Sequence, residues 1–186
     1  MSSILKVDTI QNTGGNNLIT TDSNTTSLKN PNGTTGLTID SSGRVLNPNT
    51  VAWSVYKDAI QTASAANERV TWATTTLNKG NGFSFSGSTA NAFVAPVAGV
   101  YSTSCQWLTT NTTSQADIHL TKNGTIINRS RNSKDAASAQ HQTTTMTVTV
   151  ELAVNDYLEI TISTSGQPIY GDANLYWTTW HGHLIG

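Results

Sequence analysis

Four histidines, one cysteine and eleven acidic residues are the side chains of this 186-residue sequence that could carry acid–base, nucleophilic or metal chemistry. His181 and His183, two positions apart, would share one face of a strand. A zinc centre needs a third ligand, and no cysteine or carboxylate stands at ligand spacing beside that pair, so the histidines, His119 and His141 included, read as surface or interface residues. The carboxylates are scattered singly and offer no acid pair for glycoside hydrolysis. Asp135 and Asp172 lack the clustered acidic partner that a calcium loop uses. No Gly-x-Ser-x-Gly, phosphate loop or dinucleotide fingerprint occurs. Cys105 lies in the alternating stretch Tyr101–Trp107, where a cysteine behaves as a small buried hydrophobe. No catalytic residue, metal or cofactor is expected, and the protein reads as a non-enzyme.

Binding chemistry is better represented. Residues Asn128 to Asp135 gather Arg129, Arg131 and Lys134, three of the ten cations, in what reads as a loop. Residues Gly166 to Trp177 mix Tyr170, Tyr176 and Trp177 with amides and Asp172. Aromatic faces stack on the apolar side of a pyranose while amides and carboxylates take its hydroxyls, so Arg129, Arg131, Lys134, Tyr170 and Asp172 are the candidate receptor-binding residues. Tyr176 and Trp177 read equally well as core of a closing strand. A net charge of −1 gives no basic footprint for nucleic acid or an anionic membrane.

The elements that must hold these residues are strands. Thr, Ser and Asn exceed a third of the chain while charged residues are 11%, a composition that suits strands with hydroxyl-covered faces better than exposed helices. Val51–Tyr56, Glu68–Trp72, Thr143–Val150 and Tyr157–Ile162 alternate with the two-residue period of half-buried strands. Ser114–Ile126 runs into Asn123-Gly124, the strongest hairpin signal present. Ala59–Ala66 could hold one helical turn, and Leu175–Ile185 closes the sheet. Apolar runs are too short to span a membrane, and the first residues lack a signal peptide's basic start and apolar core. Five Asn-x-Ser/Thr sequons, at Asn24, Asn32, Asn111, Asn123 and Asn128, arise easily in so Thr-rich a chain and carry no weight without a secretory signal.

One stretch organises the rest: Phe93-Val-Ala-Pro96-Val-Ala-Gly99-Val-Tyr101, two apolar strands joined by a bend that Pro96 and Gly99 build in. With Asn78-Lys-Gly-Asn-Gly-Phe83 before it and Trp180-His-Gly182-His-Leu184 at the end, it resembles the signature of the complement-1q-like and tumour-necrosis-factor-like jelly roll. The resemblance covers about 51–186 and implies an all-β, antiparallel jelly-roll sandwich that assembles as a homotrimer. Phe93, Pro96, Gly99, Tyr101 and Gly182 are its structural motif residues. It also sets His183 where the family carries an aromatic residue near the subunit interface.

Residues 1–50 differ. Turn dipeptides at Gly14-Gly15, Asn32-Gly33 and Ser42-Gly43 separate short apolar pieces, and Asn47-Pro48-Asn49 marks the boundary to a head domain at 51–186. Eleven Leu, Ile and Val at about 2 kcal/mol each fall far short of the roughly 50 kcal/mol of backbone entropy in fifty residues, so the segment should not fold alone. It is either a disordered tail or a set of short strands that bury apolar residues against neighbouring chains. Ile4–Gln11 and Leu37–Leu46 look like the amino-terminal part of bacteriophage tail-fibre and appendage proteins. Together the two resemblances imply a virion protein, made in the host cytoplasm. Its amino-terminal segment attaches to other virion proteins and its trimeric head binds host surface polysaccharide or protein. The alternative is a purely structural knob on a virion spike.

Overall fold

The computed structural model describes residues 9–22, 25–47, 49–109, 115–133 and 141–186, and every described element is a strand. The chain divides into two compact units, Met1–Thr50 and Val51–Gly186.

The first unit is one antiparallel meander of β1 (Thr9–Gln11), β2 (Asn17–Thr21), β3 (Thr26–Lys29), β4 (Thr35–Ile39) and β5 (Val45–Leu46), in that spatial order. Three of its turns repeat one device. The side-chain oxygen of Asn12 accepts the amides of Gly14 and Asn16, that of Asn30 the amides of Asn32 and Thr34, and that of Asp40 the amides of Ser42 and Arg44. Gly15, Gly33 and Gly43 follow with φ of 79°, 82° and 76°, the left-handed residue that lets a short turn match the strand twist. The segment is therefore built of short strands and is not a featureless tail.

The second unit contains β6 (Ala52–Tyr56), β7 (Gln61–Thr62), β8 (Glu68–Arg69), β9 (Thr74–Lys79), β10 (Phe83–Ser84), β11 (Ala92–Val94), β12 (Gly99–Thr109), β13 (Gln115–Lys122), β14 (Thr125–Ser133), β15 (Gln142–Leu152), β16 (Tyr157–Ile162), β17 (Pro168–Ile169) and β18 (Thr179–Leu184). One antiparallel sheet runs β10-β11-β16-β13-β14, with β8 also on β16. The other runs β7-β17-β12-β18-β6-β9, with β15 paired along the whole of β12. Alternation decides what fills the space between them. On β12, Tyr101, Thr103, Cys105 and Trp107 point inward while Ser102, Ser104 and Gln106 point out. Trp53 stacks on Phe93 at 3.7 Å, and Trp180 sits edge-on to Trp53 and Phe83 at 5.7 Å. The Trp180 indole donates to Thr103 Oγ1 (2.7 Å), so this fully buried ring keeps its hydrogen bond. Cys105 is buried, and burial pushes its thiol up.

The Phe93–Tyr101 bend closes where the Tyr101 hydroxyl donates to the Val97 carbonyl (2.7 Å), with Pro96 exposed at its tip. Gly99 is required by close approach, since a Cβ there would lie 2.6 Å from Leu184 Cδ1 and 2.8 Å from the Gly186 carbonyl oxygen. Five of the six described non-glycine residues with positive φ are asparagines, at 67, 81, 91, 123 and 155. Asparagine tolerates that region through local side-chain hydrogen bonds, so much of the asparagine content is turn chemistry. Asn123 (φ 51°) and Gly124 (φ 77°) make the turn between β13 and β14 that their sequence promised.

The structure corrects four expectations. Ala59–Ala66 forms no helical turn, because its backbone pairs with the 166–169 segment through β7 and through Ala63 with Gly166 and Gln167. The strand expected over Glu68–Trp72 is only β8, after which the Trp72 amide turns to donate to Asn91 Oδ1 (2.9 Å). Asn128–Ser133 belongs to β14 and is not a loop, since Ser130 and Asn132 alternate inward and pair with β13. The closing strand begins only at Thr179.

Lys57 is 2% exposed, yet among the described residues its ammonium donates only to neutral acceptors: Gln61 Oε1 (3.1 Å), the Thr71 carbonyl (2.9 Å) and Thr71 Oγ1 (3.0 Å). Burial pushes its pKa from 10.5 down to about 8, against the pull of Asp58 and Glu68. Between those values the unfolded chain holds a proton that the folded chain has lost, so stability rises with pH across that window. The melting temperature of the parent should therefore gain on that of Lys57→Met between pH 7 and 10. Parallel pH profiles for the two proteins would refute this.

Candidate functional site

A recess of about 480 Å³ is lined by Leu108, His141, Thr143, Tyr170, Leu175 and Trp177. It forms where three elements end together. Thr109, the last residue of β12, pairs with Ile169 of β17, and the next amide, of Tyr170, donates to the Leu108 carbonyl (2.8 Å). Leu108 also faces Thr143 of β15 in the ladder. The 170–178 loop then folds back over this corner. The Thr178 hydroxyl donates to the Tyr170 carbonyl (2.6 Å) and accepts the Leu108 amide (3.2 Å). Gly171 packs its backbone directly on that of Ala59. Asp172 Oδ1 accepts the amides of Asn174 (2.8 Å) and Leu175 (3.2 Å), which fixes the turn carrying Leu175 into the recess. Tyr176 adopts φ 48° and sets its ring edge-on to Tyr56 at 4.5 Å. Trp177 is left 40% exposed, with its carbonyl accepting from Gln106 Nε2 (3.3 Å).

His141 meets Tyr170 edge-to-face at 5.3 Å, and its Nδ1 lies 3.2 Å from the Thr109 carbonyl. A carbonyl can only accept, so Nδ1 carries the hydrogen, and in the neutral ring Nε2 is an acceptor. The recess thus joins exposed aromatic and aliphatic surface to a histidine acceptor and the Thr143 and Tyr170 hydroxyls. This is a binding chemistry: a ring with an apolar face and several hydroxyls can stack and hydrogen-bond there.

Of the residues singled out from sequence, Tyr170 lines this recess, and Asp172 braces its loop from below. Arg129 and Arg131 lie on β14, opposite His119 and Asp117, and are not in the lining. Arg131 makes two charge-assisted bonds to Asp117 (2.8 and 2.7 Å) that hold the carboxylate below its usual range. Lys134 lies outside the described residues, as does Asp135. Among the described residues no three histidines, cysteines or acids stand together as a metal cluster. The sequence offers His141 only as a surface or interface histidine and Thr143 only as a strand residue, and gives Leu108 no role, because only the β12–β15 pairing brings the three to Tyr170. Trp177 was ambiguous until the loop conformation at Tyr176, which no local pattern announces, turned it outward.

No known family's sequence pattern matches the chain, and no curated protein sequence does. Solved structures do match. The globular domain of zebrafish complement 1qA superposes with a TM-score of 0.56 at 15% identity, over 73% of this chain and 98% of that one. The fold is the complement-1q/tumour-necrosis-factor jelly roll. Murine APRIL at pH 5.0 (TM-score 0.59, 14% identity, 73% of this chain and 99% of that one) and the Eiger TNF of S. frugiperda (0.60, 10%, 74% and 94%) agree. At these identities the likeness is one of architecture, and the Tyr170–Trp177 corner must be read from its own chemistry.

Proposed function

We propose that this protein is a non-enzymatic, homotrimeric virion fibre or appendage of a bacteriophage whose jelly-roll head binds carbohydrate on the host cell surface. The observation that carries the binding reading is the Tyr170–Trp177 recess, where aromatic surface and hydroxyl-complementary groups converge on a strand-anchored corner. Support for the trimer comes from the seven-stranded sheet. Its outward face carries Ser54, Ser102, Ser104, Thr147 and Thr149 around the exposed His181 and His183, small side chains over which a neighbouring head can lie closely. The amino-terminal unit is the attachment and trimerisation segment in this reading, and the Leu37–Leu46 resemblance to phage appendages supplies the virion context.

A sugar held by one aromatic platform and a few hydrogen bonds binds with a Kd of about 1 mM, or roughly −4 kcal/mol, and three linked sites can gain about a hundredfold without a new contact. Trp177→Ala and Tyr170→Ala should each lower adsorption to host cells by about tenfold or more while leaving the melting temperature nearly unchanged. Arg129→Ala combined with Arg131→Ala should weaken adsorption less, and mainly at low salt, because exposed ion pairs are screened. Purified protein competing with phage particles for host cells provides the readout. If both aromatic variants compete as well as the parent, the head is a structural knob on the spike.

A further inference from the structure

The amino-terminal meander has two unlike faces. Cross-strand pairing puts Ile10 opposite Ile19, Ile19 opposite Leu28 and Leu28 opposite Leu37, so four strands contribute to one continuous apolar ladder. Ile39, two residues beyond Leu37, extends the same face and pairs with Val45 of β5. The other face carries Thr9, Thr20, Ser27, Lys29 and Thr38, with Leu46 of β5 beside Thr38 as a large apolar residue. No described residue of this unit is buried, and Ile10, Leu28, Ile39 and Val45 are 48, 42, 39 and 64% exposed. A contiguous apolar face left open to water marks an interaction surface, so that face needs a cover.

We infer that the cover is the same face of two other copies of this chain, the three sheets forming a closed triangular prism with the Ile10–Val45 ladder inside. The ladder carries no charge, so it matches another copy of itself with nothing to neutralise. Dimensions fit the three copies of the trimer proposed above. Five strands at about 4.8 Å spacing make a sheet about 19 Å across, and three such sheets set as a triangle lie about 5.5 Å from their common axis. Stacked sheets pack about 10 Å apart, so each reaches about 5 Å to its midplane, and leucine and isoleucine fill the triangle with no hollow core. A square of four sheets would lie about 10 Å from the axis and stay empty. Five residues at about 3.3 Å rise give each sheet about 300–350 Å² of face.

This inference rests on the trimeric part of the function proposed above and is independent of the carbohydrate. β3 is the central strand, so its Leu28 lies nearest the axis while the adjacent Ser27 points outward. The test uses the full chain with Leu28→Cys or Ser27→Cys, in which the buried Cys105 stays unreactive. In the trimer, Leu28→Cys should react with a bulky maleimide at least about tenfold more slowly than Ser27→Cys, and mild oxidation should give covalent dimers with Leu28→Cys only. Leu37→Cys repeats the test should Leu28→Cys fail to fold. A trimer by light scattering in which Leu28→Cys and Leu37→Cys react as fast as Ser27→Cys would overturn the prism and leave the trimeric head standing. A monomeric parent protein would overturn both.

Discussion

Gly182→Ala is expected to destabilise the head by about 3–5 kcal/mol, a large share of the 5–15 kcal/mol that holds a typical domain together. A Cβ at this position would run into Cη2 and Cζ2 of Trp53 and stand 2.7 Å from the Ser102 carbonyl oxygen. Neither neighbour can retreat. Trp53 is fixed by its stack on Phe93 and its edge contact with Trp180, and Ser102 sits mid-strand in a ladder with β15 and β18. Overpacking of a filled core costs about 1–3 kcal/mol where side chains can shift, and more where backbone is in the way. Thermal melting measures the effect. Gly186→Ala, with no heavy atom within 4 Å of its Cβ, should melt like the parent. The collision is with the outer ring of the indole, so Gly182→Ala should cost less in a Trp53→Phe background than in the parent. Equal costs in the two backgrounds would show that Trp53 is not the obstacle.

That close approach was legible in the sequence as a glycine in an aromatic-x-Gly-x-Leu strand, and so was most of the head. The 93–101 bend, the Asn123-Gly124 hairpin and the inward Met146 of β15 are local patterns, each fixed by a two-residue period or by a residue able to take an unusual φ. What stayed illegible depends on what lies across from a strand. Thr143 and Leu108 each look like an ordinary strand residue until the β12–β15 register sets them side by side at the mouth of a recess. Arg129 and Arg131 looked like loop cations because charged residues seldom alternate with buried ones. Ser130 and Asn132 are small polar residues that hydrogen-bond inward, Ser130 to the Trp107 indole (3.2 Å) and Asn132 to the Gln142 carbonyl (3.0 Å). The polar inward set disguised a strand.

The β16 strand shows the same blindness, and it carries the second large effect. Tyr157–Ile162 alternates as though Glu159 and Thr161 met water, yet Glu159 is 7% and Thr161 4% exposed. The cover is β8, which pairs Arg69 with Thr161, together with the 88–90 segment, whose carbonyls of Ser88 (3.3 Å) and Ala90 (2.6 Å) accept from Arg69 Nη1. Arg69 Nη2 pairs with Glu159 Oε2, and Thr121 Oγ1 donates to Glu159 Oε1 (3.1 Å). Arg69→Met removes the only cation paired with this carboxylate among the described residues and frees the covering carbonyls. Breaking a buried pair typically costs about 3–5 kcal/mol, and the 28% exposure of the Arg69 side chain brings the expected loss to about 2–4 kcal/mol. Removing both charges is a different matter, since two apolar side chains of similar volume avoid the desolvation that the pair must offset. Arg69→Met with Glu159→Leu should therefore be more stable than Arg69→Met alone, by about 1 kcal/mol or more in denaturant unfolding. A double variant that is the sum of its two single losses would mean that the carboxylate is not stranded by loss of its arginine. The contribution of Arg69 would then lie in the Ser88 and Ala90 carbonyls it ties down.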